Sequence, residues 1–159
     1  MPEARRVPDH DPQAHDRVAA LAREMDAHGR DRDAPVREVM ALAGDRWSTL
    51  ILLVLATGEW RHADLRRTLA RLSAEKAISQ RVLTLKLRAL ERDGFVLRSV
   101  SADIPPKVSY RLSAMGEGLY NEVRRMIGWV TAHEEAIAQS RARFIDEEQS
   151  EQPIAAANR

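Results

Sequence analysis

From Ile78 to Arg92 the chain reads Ile-Ser-Gln-Arg-Val-Leu-Thr-Leu-Lys-Leu-Arg-Ala-Leu-Glu-Arg. Leu83, Leu87 and Leu90 recur at helical spacing and define an inward stripe. That stripe leaves Gln80, Arg81, Thr84, Leu85 and Arg88 on or near the open face. These side chains suit the edges of base pairs: Gln matches the donor and acceptor of adenine, and Arg matches the two acceptors of guanine. Ser79, in the cap position, can hydrogen-bond a phosphate where the helix N-terminus adds partial positive charge. Arg98 and Lys107, further along, suit phosphate or minor-groove contact. Double-stranded DNA is therefore the partner these types and spacings point to. Leu85 is the odd member. It either meets a thymine methyl or packs against the preceding helix, and packing is the expectation.

Other chemistries find less support. The chain has no cysteine, which removes disulfides, thiolate metal sites and cysteine nucleophiles. His10, His15, His28, His62 and His133 are too scattered for a recognisable metal site, and Glu134-Glu135 beside His133 reads as a solvated face. Gly116 and Gly118 lie inside a helical pattern without phosphate-loop spacing, and no serine sits in a nucleophile elbow. No pair of titratable groups is spaced for acid–base work. The expectation is a protein that is not an enzyme and holds no cofactor or metal. Trp47, Trp60 and Trp129 are a candidate effector pocket, weighed against the commoner role of tryptophan as a core or interface anchor.

The elements that must position the basic helix follow from periodicity and punctuation. With 159 residues, one domain with flanking elements is expected. Residues 1–10 are polar and read as a disordered tail. Asp11-Pro12 opens a helix carrying Val18, Leu21 and Met25, closed by Gly29. Asp33-Ala34-Pro35 opens a second, ending at Gly44. Asp45 caps a third through the run Leu50 to Leu55. That run is apolar nearly all round, so the helix is the expected centre of the core, with a buried strand as the rival reading. Gly58 to Arg61 is a link. Ala63 to Leu72 is a helix with Leu65, Leu69 and Leu72 inward. Ser73 to Lys76 connects it to the capped Ser79–Arg92 helix, which Gly94 terminates.

After Gly94 the period changes to two. Phe95 to Val100 and Lys107 to Arg111 form a two-stranded hairpin around Asp103-Ile104-Pro105-Pro106. A long last helix runs from Ser113 to about Arg143, with Met115, Leu119, Val123, Met126, Ile127, Val130 and Ile137 on one stripe. Such a helix would be about 45 Å long, more than so small a domain can cover, so part of its stripe needs an outside partner. Residues 144–159 read as a flexible acidic tail.

Charge follows the same division. Residues 78–111 hold seven Lys/Arg against three Asp/Glu, a net +4, in a chain whose total is only +1. Residues 1–33 are net −2, with six Arg against eight acids, and residues from Asp146 onward net −3, with four acids against one Arg. The positive charge is gathered where the candidate DNA contacts lie. The N-terminus has no apolar run like that of a signal peptide, and no stretch is long enough to span a bilayer. A soluble cytoplasmic protein with no membrane partner is expected.

Several pieces in order resemble one family. They are Ala34-Pro35-Val36, Gly44-Asp45-Arg46-Trp47, Arg61-His62-Ala63-Asp64-Leu65-Arg66-Arg67, Ile78 to Thr84, Leu87 to Val96, Pro105 to Ser113, and Trp129. The stretch from Pro35 to His133 resembles the HxlR-type winged helix-turn-helix regulators, related to the MarR group. The resemblance implies a mainly α fold with a small β-hairpin. The winged helix-turn-helix would occupy 34–112, with dimerisation helices at 11–30 and 113–143. It also implies a homodimer on an inverted-repeat operator that controls transcription, often in answer to a small-molecule effector or oxidant. A repressor is the expectation. The alternative is a winged-helix protein-interaction module without DNA binding, suggested by the near-neutral total charge and Leu85. Three departures stand out. Ala34 replaces a cysteine that family members often carry, the link from Leu72 to Ala77 is longer than usual, and residue 85 is apolar.

Overall fold

The computed structural model describes residues 12–28, 31, 33–74 and 77–151. The chain divides into two compact units, residues 1–46 and 47–159, and each is described by itself. The expected tail at 1–10, the Asp11 cap, the Gly29 stop and residues 152–159 lie outside the described residues.

In the first unit, α1 spans Pro12–His28 and α2 spans Pro35–Gly44. Pro35 sits in the first turn of α2, where its missing N–H costs nothing, and Ala34 precedes it in extended conformation. Val18, Leu21 and Met25 on α1 are exposed, as are Val36 and Met40 on α2. Leu21, Met25, Val36 and Met40 line an apolar groove rimmed by Glu24, His28 and Arg37.

The second unit begins at Trp47, within α3, Arg46–Leu55. Ile51, Leu52, Val54 and Leu55 are buried in it, so the apolar run is the core helix expected and not a strand. Next come β1 (Trp60–Arg61), α4 (His62–Leu72), α5 (Gln80–Arg92), β2 (Val96–Val100) and β3 (Val108–Leu112). The three strands form one antiparallel sheet in the order β1-β3-β2. The expected two-stranded hairpin thus has a third strand, in what reads as a link: Trp60 pairs with Tyr110 and Arg61 with Ser109. Two residues are too few to display a period of two. Leu65, Leu69, Leu83, Leu87 and Leu90 are fully buried, together with Val96 and Val123. Each such leucine contributes about 2 kcal/mol of hydrophobic stabilisation. Leu72, expected to point inward, is 61% exposed, because α4 ends there and has carried it past the core.

The last helix is two. α6 runs Ala114–Ala132 and α7 runs Glu134–Glu151. At the join, His133 leaves helical geometry and its Nδ1 meets the Trp129 carbonyl at 2.7 Å. Helix also continues past Arg143 through Glu151, where a flexible tail is expected from sequence. The helix formers Glu147, Glu148 and Gln149 carry it on. No helix among the described residues is long and apolar enough to cross a membrane.

Candidate nucleic-acid interface

The basic helix α5 is fastened at both ends. At its N-terminus, the Ser79 side chain accepts a hydrogen bond from the Val82 N–H at 3.1 Å, which satisfies one of the orphan donors of the first turn. Ile78 before the cap and Leu83 in the second turn are both buried, the positions of a hydrophobic staple. At its C-terminus, the Gly94 N–H donates to Glu91 O and the Phe95 N–H to Leu90 O. Gly94 has φ +79°, the left-handed conformation glycine adopts without strain.

With those ends fixed and Leu83, Leu87 and Leu90 inward, Ser79, Gln80, Arg81, Leu85 and Arg88 are exposed. Leu85 is 58% exposed and does not pack down on α4, contrary to the expectation. Its neighbours Leu83 and Leu87 already occupy the inward face. Thr84 is half-buried. Its hydroxyl donates to Gln80 O at 2.9 Å and lies 3.1 Å from His62 Nε2. Because that hydroxyl has one hydrogen, already given to Gln80 O, His62 is the donor to it. Thr84 therefore holds α5 to the start of α4 and is not part of the open ridge.

The wing faces the same helix. Thr84, Arg88, Glu91, Arg92, Arg98 and Tyr110 line an open groove between α5 and the sheet. Three arginines against one glutamate make it electropositive. The sequence does not single out Arg92 or Tyr110; Arg92 enters the groove one helical turn past Arg88 on α5, and Tyr110 through its pairing with Arg98 across β2 and β3. Arg92 also pairs with Asp93 at 2.8 Å. At the wing tip, Lys107 is half-exposed and pairs with Asp103 at 3.2 Å. An exposed pair of this kind is worth about 0–1 kcal/mol, so a phosphate can compete for the lysine. Ile104 at the tip is 98% exposed.

Behind the wing, Ser99 on β2 and Ser109 on β3 both donate to the Glu59 carboxylate. These bonds hold the carboxyl below its ordinary range, with the Arg111 charge adding to the effect. Glu59 thereby ties both wing strands to the segment before β1. His62 is shifted down as well, mainly by burial and then by the positive charge of Arg66. Its ring lies 6.2 Å from that of Tyr110.

The three tryptophans have separate settings. Trp47 is half-buried in the first turn of α3. Trp60 donates from Nε1 to Thr57 Oγ1. Trp129 is exposed on α6 and stacks on His133, ring centroids 4.2 Å apart. None of them lines the groove beside α5, the cleft beside Glu59 or the apolar groove of α1 and α2.

Comparison with known proteins meets this geometry. Residues 42–138 match the family described as HxlR-like helix-turn-helix. The HTH-type transcriptional regulator YtfH of Escherichia coli is 36% identical over 96 residues, which span 60% of this chain and 71% of that protein. YdeP of Bacillus subtilis, also an HTH-type transcriptional regulator, is 34% identical over 103 residues, 65% of this chain and 76% of its own. Among solved structures, the putative transcriptional regulator ytfH from Salmonella typhimurium aligns with a TM-score of 0.58 at 32% identity, covering 70% of this chain and 95% of that one. The reduced form of the regulator YodB from B. subtilis aligns with a TM-score of 0.52 at 33% identity, over 60% and 89% of the two chains. A capped basic helix facing a three-stranded wing, in a sequence with these relatives, makes the chain a member of the HxlR-like helix-turn-helix family of transcriptional regulators.

Proposed function

We propose that the protein acts as a homodimeric repressor, inserting α5 of each subunit into the major groove of an inverted-repeat operator. The observation that carries this reading is the exposed ridge of Gln80, Arg81, Leu85 and Arg88 on a helix fixed at both ends. Gln80 and Arg81 lie in its first turn, where recognition helices meet base edges. The exposed Leu85 suits a thymine methyl, and Arg98 and Lys107 suit flanking phosphates. The homodimer is supported by the exposed apolar residues of α1 (Val18, Leu21, Met25) and of α6 (Met126, Trp129, Val130), faces a lone soluble subunit has no reason to carry. A dimer seated on a promoter represses by occupying DNA that the polymerase needs.

The test is titration of the DNA upstream of the protein's own gene at two salt concentrations, followed by footprinting. A protected palindromic site and affinity falling steeply with salt are expected, since Lys/Arg–phosphate contacts release counterions. Arg81→Ala is expected to cost about 1–3 kcal/mol on that site and little on random DNA. No binding at low salt overturns the proposal, and an equal loss on both DNAs removes Arg81 from base reading. Transcription from the bound promoter in vitro fixes the sign.

A further inference from the structure

Beyond the family match, which ends at residue 138, α7 continues through Glu151. Among its residues from Glu134 to Ser150, Ile137 is half-buried and all the others are exposed. Phe144 is 60% and Ile145 51% exposed. The helix lies on nothing among the described residues over its second half, yet a bare helix of this length is marginal in water and needs packing on its apolar face.

That face has a definite pattern. Ile137, Arg141, Phe144, Ile145 and Glu148 share one side at helical spacing. Ser140, Arg141, Phe144 and Ile145 shape a shallow notch on it. Arg141 stands one side of the apolar pair and Glu148 the other, and neither has an ion-pair or hydrogen-bond partner among the described residues. A copy of the same face laid antiparallel, its two-fold axis between residues 144 and 145, sets Phe144 against Ile145. It also sets Arg141 against Glu148, twice. A parallel copy sets Arg141 on Arg141 and Glu148 on Glu148. The pattern is self-complementary in one direction only. Six acids against two arginines over 134–151 leave α7 net negative, which disfavours DNA or an anionic lipid surface as the cover.

We infer that α7 pairs antiparallel with α7 of a second copy, with Phe144 and Ile145 at the centre and reciprocal Arg141–Glu148 ion pairs at the flanks. This rests on the homodimer reading above. One helix pair buries only a few hundred Å², below the roughly 1,200 Å² of a specific interface, so it adds to the apolar faces of α1 and α6 and does not replace them.

The cysteine-free sequence allows a direct test. Arg141→Cys and Glu148→Cys variants, differently tagged, are co-expressed, purified together and oxidised, with DNA binding and helical content checked for each. In the antiparallel pair residue 141 meets residue 148 of the second copy. Each residue is about 10 Å along the axis from its own counterpart, too far for a disulfide. A disulfide-linked dimer is expected only in the mixture. Linkage in either single variant shows parallel pairing, and no linkage while the protein still sediments as a dimer shows that something else covers α7; both overturn the inference and leave the dimer standing. A wild-type chain that sediments as a monomer overturns the dimer reading as well. Arg141→Glu is expected to weaken the dimer several-fold at low salt, and the double exchange Arg141→Glu with Glu148→Arg to restore it. Failure of the exchange to restore it counts against the ion pair.

Discussion

Gly116 puts local propensity and tertiary packing in direct opposition. It lies in the first turn of α6, where alanine would favour the helix by about 1 kcal/mol. A Cβ there, however, would sit 2.0 Å from Phe95 O and 2.9 Å from Phe95 C. Ordinary contact begins at 3.4 Å, so α6 or the α5–β2 corner must retreat by about 1.4 Å. Neither can move freely. Phe95 O accepts from Ser113 N at 3.0 Å, and Ser113 Oγ donates to Gly94 O at 2.6 Å while accepting from Gly116 N at 3.0 Å. Forced overpacking costs about 1–3 kcal/mol, and each hydrogen bond weakened about 0.5–1.5 kcal/mol more. After the propensity gain, Gly116→Ala is expected to destabilise by about 2 kcal/mol, a fall in Tm of about 4–8 °C for a protein this size. Gly118→Ala is the control. A Cβ there meets nothing within 4 Å, so it is expected to stabilise by up to about 1 kcal/mol. Thermal and urea unfolding followed by circular dichroism measure both. If Gly116→Ala melts at or above the wild type, the close approach of α6 to the Phe95 carbonyl is wrong.

Three further outcomes follow from the same geometry. Ser79→Ala removes the cap of α5 and is expected to cost about 0.5–2 kcal/mol in urea unfolding; Ser79→Asp keeps the cap and is expected to weaken DNA binding, because in the proposed complex its charge would face a phosphate, and unchanged affinity would take residue 79 off the backbone. For His62, whose ordinary value is 6.5 and whose folded value lies lower, the unfolded chain takes up a proton first as pH falls. Stability is therefore at its full value above about pH 7, drops as pH goes below 6.5 and levels off beneath the folded value; urea midpoints from pH 8 to 5 should show the drop, and His62→Phe should flatten it. Glu59→Gln removes the charged acceptor shared by Ser99 and Ser109, and hydrogen exchange is expected to quicken across β2 and β3 while exchange in α5 stays as it was.

How legible all this is in the sequence depends on the length scale of each feature. The inward stripe of α5, the Ser79 cap and the Gly94 stop are local, repeated at 3.6-residue spacing, and the structure has them where the residues put them. The eight residues proposed for DNA contact also rest on local grounds, and their exposure separates Thr84 from the rest only because His62, 22 positions earlier in the chain, comes to meet it. No periodicity carries that information. β1 is invisible for a related reason: Trp60 and Arg61 become a strand because β3 offers them an edge. The break at His133 is a different case. It coincides with a side chain bonding back to the Trp129 carbonyl, and the uninterrupted stripe from Met115 to Ile137 gives no hint of it. Leu85 shows a limit of reasoning by residue type, since an apolar side chain on a helix is assigned inward by default, whereas its place two residues from both Leu83 and Leu87 turns it to the opposite face, where it is 58% exposed.

The fastenings of α5 bear on whether a helix of only 13 residues could serve as the reading head proposed above. A short helix left to itself frays, and each ordered residue costs about 1–2 kcal/mol of backbone entropy. Here that cost falls on folding, so that none of it would be left for the proposed DNA binding. Ser79 closes the first turn, His62 ties the second to α4, and the Leu90–Phe95 bond with the Ser113–Gly94 bond locks the last turn to α6. The sheet register that fixes Arg98 against Tyr110 sets the wing at a constant offset from Arg88. On the proposed mode of binding, ridge and wing would arrive at the groove as one piece, and affinity would depend on what the exposed side chains meet and not on ordering the scaffold behind them. Substitutions on the ridge should then alter sequence preference with little change in stability. Substitutions at the three fastenings should do the reverse, losing stability first and lowering affinity for every DNA alike. A ridge variant that melts early, or a fastening variant that changes which base is preferred, would contradict that division.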